Sequence, residues 1–335
     1  MRRIITLILV LALGAAACGD DEPRSVRVLA HDFFAVPDEV LAEFEAETGI
    51  EVEIVLGGDA GLMVNQAVLT AGNPIADVIF GVDTTLLSRA IDGGVFDPYE
   101  SDALGEIPRD GGGVVTPIDF GDVCLNYDPA ALPEPPATLA DLTDFAGDLS
   151  VPDPRASSPG LAFLLATIER FGEEGPYTWR DYWADLSAGD VEIAADWGTA
   201  YYGSFTAIGG GDRSIVVSYA SSPPAEVLFA DPPIDSATTA VITDGCFRQV
   251  EYAGVLRGAT NTDGARAFVD FMLSESFQSS VATSMFVFPI DPSIPLPDVF
   301  ADNTSIPEDP IEMDPDRIEE NRERWLSEWT ETVLG

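Results

Sequence analysis

The chain has 335 residues, enough to bury a large core as one domain or two lobes, and 46% of them are hydrophobic, which excludes a disordered acidic tail. Its 58 acidic residues against 16 basic ones leave a formal net charge of −42. That balance excludes nucleic acid as a partner, because phosphate backbones are bound by Lys and Arg that displace counterions. The surplus acid is spread along the chain as a solvated surface, one that draws cationic small ligands toward it.

Residues 1–18 run from Met1-Arg2-Arg3 through an uncharged apolar stretch, Ile4 to Ala17, to Cys18. Two arginines, a stretch short for a bilayer span and small residues before a cysteine predict a secretion signal. Ala15-Ala16-Ala17-Cys18 resembles a bacterial lipobox, which implies an acylated Cys18 and residues 19–25 as a tether to the outer side of the cytoplasmic membrane. Export bears on Cys124 and Cys246, since in an oxidising compartment a cysteine pair points to a disulfide rather than to a metal site.

Val26 to Ala30 is a β-type run ending at His31-Asp32-Phe33-Phe34. Pro37 opens a helix with Val40, Leu41 and Phe44 at helical spacing, Thr48-Gly49 stops it, and Glu51 to Leu56 is again β-type. Strand, helix, strand predicts parallel strands and a right-handed crossover. The loop Gly57 to Gly61, with Asp59, lies past a strand's carboxyl end, where open α/β sheets hold ligands, and matches neither a dinucleotide fingerprint nor a P-loop. A helix over 62–71, a strand over 77–81 and a helix from Leu86 repeat the pattern. Gly111 to Asp128 is a long β-type segment that could pass from one lobe to another.

After the stiff Leu132-Pro-Glu-Pro-Pro136 comes a short capped helix at 139–142. Val151 to Gly160 is a polar turn leading into an apolar helix that runs to Phe171, with Pro159 suited to the first helical position and Ser157 or Ser158 to the cap. Its free N–H groups make it either an anion or oxygen site or simply a well-capped loop. Residues 177–186 form a helix whose Trp179, Tyr182 and Trp183 read as core; 191–196 and 214–219 are β-type, Ala200 to Phe205 helical, and Tyr219 to Pro224 a turn that opens another helix. Ala240 to Ile242 and Cys246 to Gly254 suit a return crossing. On that order along the chain, Cys124 and Cys246 would tie the two crossings together. Helices over 262–273 and 275–282, the aromatic loop 285–289 and a helix over 315–333 with Trp325 and Trp329 on one face complete the chain.

Gly81 to Leu87, Asp153 to Gly160, Asp196-Trp197-Gly198, Val217 to Pro223 and Trp325 to Trp329, in this order, resemble the thiamine-binding proteins of ABC importers. The resemblance implies an α/β periplasmic-binding-protein fold of type II, with a ligand cleft between lobes joined by crossing strands. Lobe 1 is then 26–118 with 249–300, lobe 2 is 119–248, and 301–335 packs on the lobes. It also implies a monomer that passes thiamine, or a thiamine phosphate, to an ABC permease, without a cofactor. Asp59 falls at the acid that meets the aminopyrimidine, Trp197 and Tyr219 at aromatics beside the thiazolium cation, and Ser157 at the ligand's hydroxyl or phosphate tail. His31 replaces a tyrosine and Phe286 a tryptophan of the family, and Ser222-Pro223-Pro224-Ala225 lacks a tyrosine after its Ser-Pro.

Ferric-iron-binding proteins share that architecture. His31 with Tyr201 and Tyr202 would be a hard-donor set for Fe³⁺, whereas the favoured reading places no metal. An enzyme finds no support: there is one histidine, no HExxH or GxSxG, and no reactive-cysteine motif around Cys124 or Cys246.

Overall fold

The computed structural model describes residues 25–335 except 106, 108–110 and 305, so the predicted signal, Cys18 and all of the tether but Ser25 lie outside the described residues. The chain opens with β1 (Ser25–Ala30), α1 (Asp38–Thr48), β2 (Glu51–Leu56), α2 (Ala60–Leu69), β3 (Val78–Asp83) and α3 (Leu87–Asp92). β1 pairs in parallel with both β2 and β3, as the strand, helix, strand pattern requires. One face of these strands carries Val26, Val28 and Phe80 onto Phe44 of α1, while Met63, Val64 and Ala67 of α2 close the other. β3 is buried along its whole length because helices cover both faces.

Next come β4 (Thr116–Tyr127), β5 (Leu149–Pro152), α4 (Ser158–Phe171), α5 (Trp179–Ala188), β6 (Glu192–Ala194), α6 (Trp197–Thr199), α7 (Thr206–Gly209), β7 (Ile215–Tyr219), α8 (Pro223–Phe229) and β8 (Ala240–Val255). Then follow α9 (Thr262–Phe271), α10 (Glu275–Ser284), β9 (Phe288–Pro289), α11 (Asp298–Asn303) and α12 (Pro315–Val333). The strands join in the order β2-β1-β3-β8-β4-β7-β5-β6, with β9 beside β4. β4 and β8 are the long members. The end of β8 pairs with β3, and the end of β4 pairs with β7. These two antiparallel strands carry the sheet from one hydrophobic core to the other.

The two β-type runs read at 240–242 and 246–254 are one strand. Asp244 interrupts the pattern because its carboxylate accepts from the Leu139 N–H at 2.8 Å and from Arg170 Nη2 at 2.8 Å. Gly245 sits at φ 79°, beside the register shift that separates Phe247 opposite Val123 from Ile242 opposite Leu125. Two other expectations change. The short helix at 139–142 is a 3₁₀ segment over Asp141–Asp148, and the helical stretch from Ala200 is a single wide π-turn over Ala200 to Ser204, closed by the Phe205 N–H donating to Ala200 O.

Cys124 and Cys246 form a disulfide between β4 and β8, with Cα atoms 4.4 Å apart. Digestion without reductant should therefore release the two cysteine peptides as one linked mass that separates on adding thiol; two free thiols would contradict the fold at its centre. At the chain's end, Trp325 and Trp329 of α12 are fully buried against Trp183 and the second core, the face predicted from their spacing.

Candidate functional site

A cavity of about 360 Å³ lies between the loops at the ends of β1 and β2 and the turns following β6 and β7, floored by β4 and β8. His31, Asp59, Trp197, Tyr219 and Phe286 all line it; Ser157 does not. The first two arrive because β1 and β2 end side by side. The Gly57 N–H donates to Ala30 O at 2.9 Å, that of Asp32 to Gly58 O at 3.0 Å, and Asp59 follows in extended conformation as the residue before α2.

At the start of α4 the two serines separate. Ser157 is 2% exposed and its hydroxyl is buried without a hydrogen-bond partner, while Ser158 faces the cavity. Ser157 is the extended N-cap, at φ −107° and ψ 130°, and Ser158 the first helical residue, so the two side chains leave the backbone in different directions. Ser158 Oγ donates to the Asp83 carboxylate and accepts from Gln249 Nε2 at 2.6 Å. Its backbone N–H points at Asp59 Oδ1, 3.4 Å away. The helix start, read in sequence as either an anion or oxygen site or a well-capped loop, already faces a carboxylate of the protein.

Aromatic rings form the opposite wall. Trp197 Nε1 donates to Ser218 Oγ at 3.0 Å, and Ser218 is within 2.8 Å of Ser222 Oγ, which fixes the indole plane. Tyr201 stacks under Trp197 at 5.1 Å and 15°, Phe33 meets its edge at 5.0 Å, and Tyr219 lies 6.3 Å away. Gly121 leaves room for Tyr219, since a Cβ there would come within 3.0 Å of the ring. Phe286 is held at φ 57°, a rare conformation for a side-chain-bearing residue, while Ser221 Oγ donates to its carbonyl at 2.6 Å.

Beneath the rings the charges are acidic. His31 Nε2 lies 3.7 Å from Glu251 Oε1. Burial disfavours the imidazolium, yet Glu251, with Asp59 and Asp83 behind it, outweighs burial and raises the His31 pKa. Asp119 on β4 stands opposite Glu251 on β8; burial and the neighbouring charge push its carboxyl far up. Burial would raise Glu251 too, but His31 beside it leaves it below the usual range. Burial lifts Asp59 against the Ser158 and Gly61 N–H groups, and lifts Asp83 to about 6 against the hydrogen bonds of Ser158 and Thr85. Asp83 raised from 3.8 in this way favours folding most fully below that value, and its contribution is lost as pH rises through about 6.

Tyr201 and Tyr202 also reach the cavity, with their rings perpendicular at 5.2 Å. Burial drives the Tyr201 phenol far up, away from the phenolate that iron ligation needs, and its ring is committed to Trp197. Sequence reading missed Glu251, Gln249 and Asp119. Their signal was present as acids and an amide inside β-type runs, at the alternate positions 249 and 251 of one strand.

The model of the bacterial extracellular solute-binding proteins matches residues 73–321. A thiamine-binding periplasmic protein of Escherichia coli K12 is 29% identical over 314 residues, 91% of this chain and 92% of its own. Its namesake in Brucella abortus is 28% identical over 336 residues, 97% and 96% of the two chains. A solved periplasmic thiamin binding protein superposes with a TM-score of 0.80 at 28% identity, covering 92% of this chain and 96% of its own. A ferric binding protein from Campylobacter jejuni shares the fold, with a TM-score of 0.75 at 19% identity over 92% and 99% of the chains. The architecture is the α/β two-lobe periplasmic-binding-protein fold of type II, with its cleft between lobes joined by the crossing strands β4 and β8. With three quarters of its length inside the family match, the chain belongs to the bacterial extracellular solute-binding proteins, which bind solutes and are not enzymes.

Proposed function

We propose that this chain captures thiamine, or a thiamine phosphate, and presents it to the permease of an ABC importer. It does so as a monomer held on the outer side of the cytoplasmic membrane by a lipid on Cys18. The observation that carries the reading is an aromatic wall, Trp197 with Tyr219, facing the carboxylate of Asp59 across one cavity. A cationic thiazolium against ring faces gains about 0.5–2 kcal/mol per contact, and Asp59 suits the amino group of the pyrimidine. Phe286 and His31 also line it, His31 serving as the partner that lowers the Glu251 pKa. The lobes are taken as 26–118 with 249–300 and as 119–248. A ligand favours their closure only through contacts with both, and Asp59 and Trp197 supply one from each side.

Isothermal titration with thiamine should give binding at micromolar concentration or better, and no heat with any thiamine species would sink the proposal. Ferric citrate is the control for the iron reading. A red-brown colour lost in Tyr201→Phe and Tyr202→Phe would favour it instead. Affinity for thiamine should also depend on pH. Asp83 is ionised only above about 6, and a cation gains from that charge, so affinity should fall between pH 7.5 and pH 5. Asp83→Asn should flatten that dependence; an unchanged slope in the variant would remove Asp83 from the explanation.

A further inference from the structure

We infer that Phe33 is a latch of the cleft: its ring, carried on the loop after β1, closes against Trp197 on the opposite side and slows the departure of the bound ligand. The inference rests on the reading just proposed for that ligand, thiamine, and adds a residue that sets how long it stays. Phe33 is 48% exposed, lines the cavity and is packed into neither the first nor the second core. Its ring is therefore free to serve the cleft.

Two adjacent aromatics take opposite directions here. Phe34 turns inward and meets Phe80 of β3 at 5.2 Å, which ties the loop to the first core. The backbone around it is fixed in turn. The Asp32 N–H donates to Gly58 O and Asp32 Oδ1 accepts from the Gly58 N–H, both at 3.0 Å. The Phe33 N–H donates to His31 Nδ1 at 3.2 Å and the Phe34 N–H to His31 O at 3.1 Å. With Phe34 anchored and the turn held, the Phe33 side chain is directed across the cleft.

The surface it meets is well fixed. Trp197 follows the cap residue Asp196, whose Oδ1 accepts from the Thr199 N–H at 2.6 Å, and its indole is held by Ser218 and the stacked Tyr201. Phe33 approaches that indole edge-on, centroids 5.0 Å apart at 90°, an arrangement in which ring quadrupoles attract. Its Cζ also lies over Gly198, 3.8 Å from where a Cβ would stand. The contact joins the β1 side of the cavity to the side carried by β6 and β7. It is made ring to ring, so it adds to whatever the ligand itself contributes to closure. A ligand held between Asp59 and Trp197 leaves only after such contacts across the cleft have parted, which places Phe33 on the path of release.

The test follows the release of radiolabelled thiamine from the whole chain by rapid filtration, for the parent, Phe33→Leu and Phe33→Ala, and for Phe33→Ala in a Trp197→Leu background. Phe33→Ala should speed release about 3- to 10-fold, with Phe33→Leu between it and the parent. Without Trp197 the effect of Phe33→Ala should shrink below about twofold, because the latch has lost its surface. Equal urea midpoints for parent and Phe33 variants should show that the fold is kept. Unchanged release in Phe33→Ala, from a parent that binds thiamine, overturns the inference and leaves the proposed function standing. A full effect of Phe33→Ala in the Trp197→Leu background also overturns it, since Phe33 would then act on the ligand directly. A second arm needs no ligand. Trp179, Trp183, Trp325 and Trp329 are fully buried, so Trp197 is the tryptophan that acrylamide can reach, and its quenching should rise in Phe33→Ala. Unchanged quenching overturns the latch whether or not thiamine binds, whereas absence of thiamine binding by the parent overturns the proposed function.

Discussion

Asp59→Ala should weaken thiamine binding by about 10- to 150-fold, the range that follows from losing a charge-assisted hydrogen bond of about 1.5–3 kcal/mol. Asp59 stands before α2 on one side of the cleft and reaches the N–H of Ser158 on the other. Its removal therefore takes away both a ligand partner and a contact between the two sides. Two readouts separate these effects. Calorimetry gives the affinity, and small-angle scattering with saturating ligand reports whether the closed shape is still reached. The fold should be untouched, because Asp59 makes no side-chain cap on α2. A loss below threefold would mean that the aminopyrimidine is held elsewhere.

Trp325→Ala should destabilise the protein by about 3–5 kcal/mol, the usual cost of emptying a buried indole site. Trp325 is fully buried on α12, in one core with Trp183 and Trp329, while Arg317 and Arg324 lie 5.8 and 5.6 Å from its ring centre. The indole thus anchors the C-terminal helix to the second core, far from the cleft lining. The urea midpoint should fall while thiamine affinity at low denaturant stays as in the parent. A loss under about 1 kcal/mol would show that α12 is held by its arginine pairs to Glu169 and Glu173 instead.

How far the molecule could be read from its residues depends on what fixes each feature. β1, α1 and β2 were legible because the hydrophobic period changes sharply at Pro37 and at Thr48-Gly49. α12 was legible because Trp325 and Trp329 are four apart and must share a face. β8 was read as two pieces because Asp244 and Gly245 look like a turn, and only Leu139 and Arg170, distant in sequence, show why a carboxylate belongs mid-strand. The choice between Ser157 and Ser158 depends on how α4 is rotated against β5 and β8, which a capping pattern does not encode. Glu251 was hidden for a similar reason: its neighbours come from far along the chain, His31 from the loop after β1 and Asp119 from β4.

The course of β8 also governs the order in which the protein can fold. β3 needs β8 as its second neighbour, pairing Val78 with Val255, and the first core needs Phe268 and Phe277 from still later in the chain. A chain emerging N-terminus first therefore presents β1, β2 and β3 with an open edge until nearly the whole sequence has been delivered. The second core closes over a more continuous stretch, apart from α12. Such distant pairings place a large loop-closure entropy ahead of the stabilising contacts and slow folding. An exported chain of this design spends that interval with strand edges exposed, and its dense negative charge then keeps neighbouring unfolded copies apart.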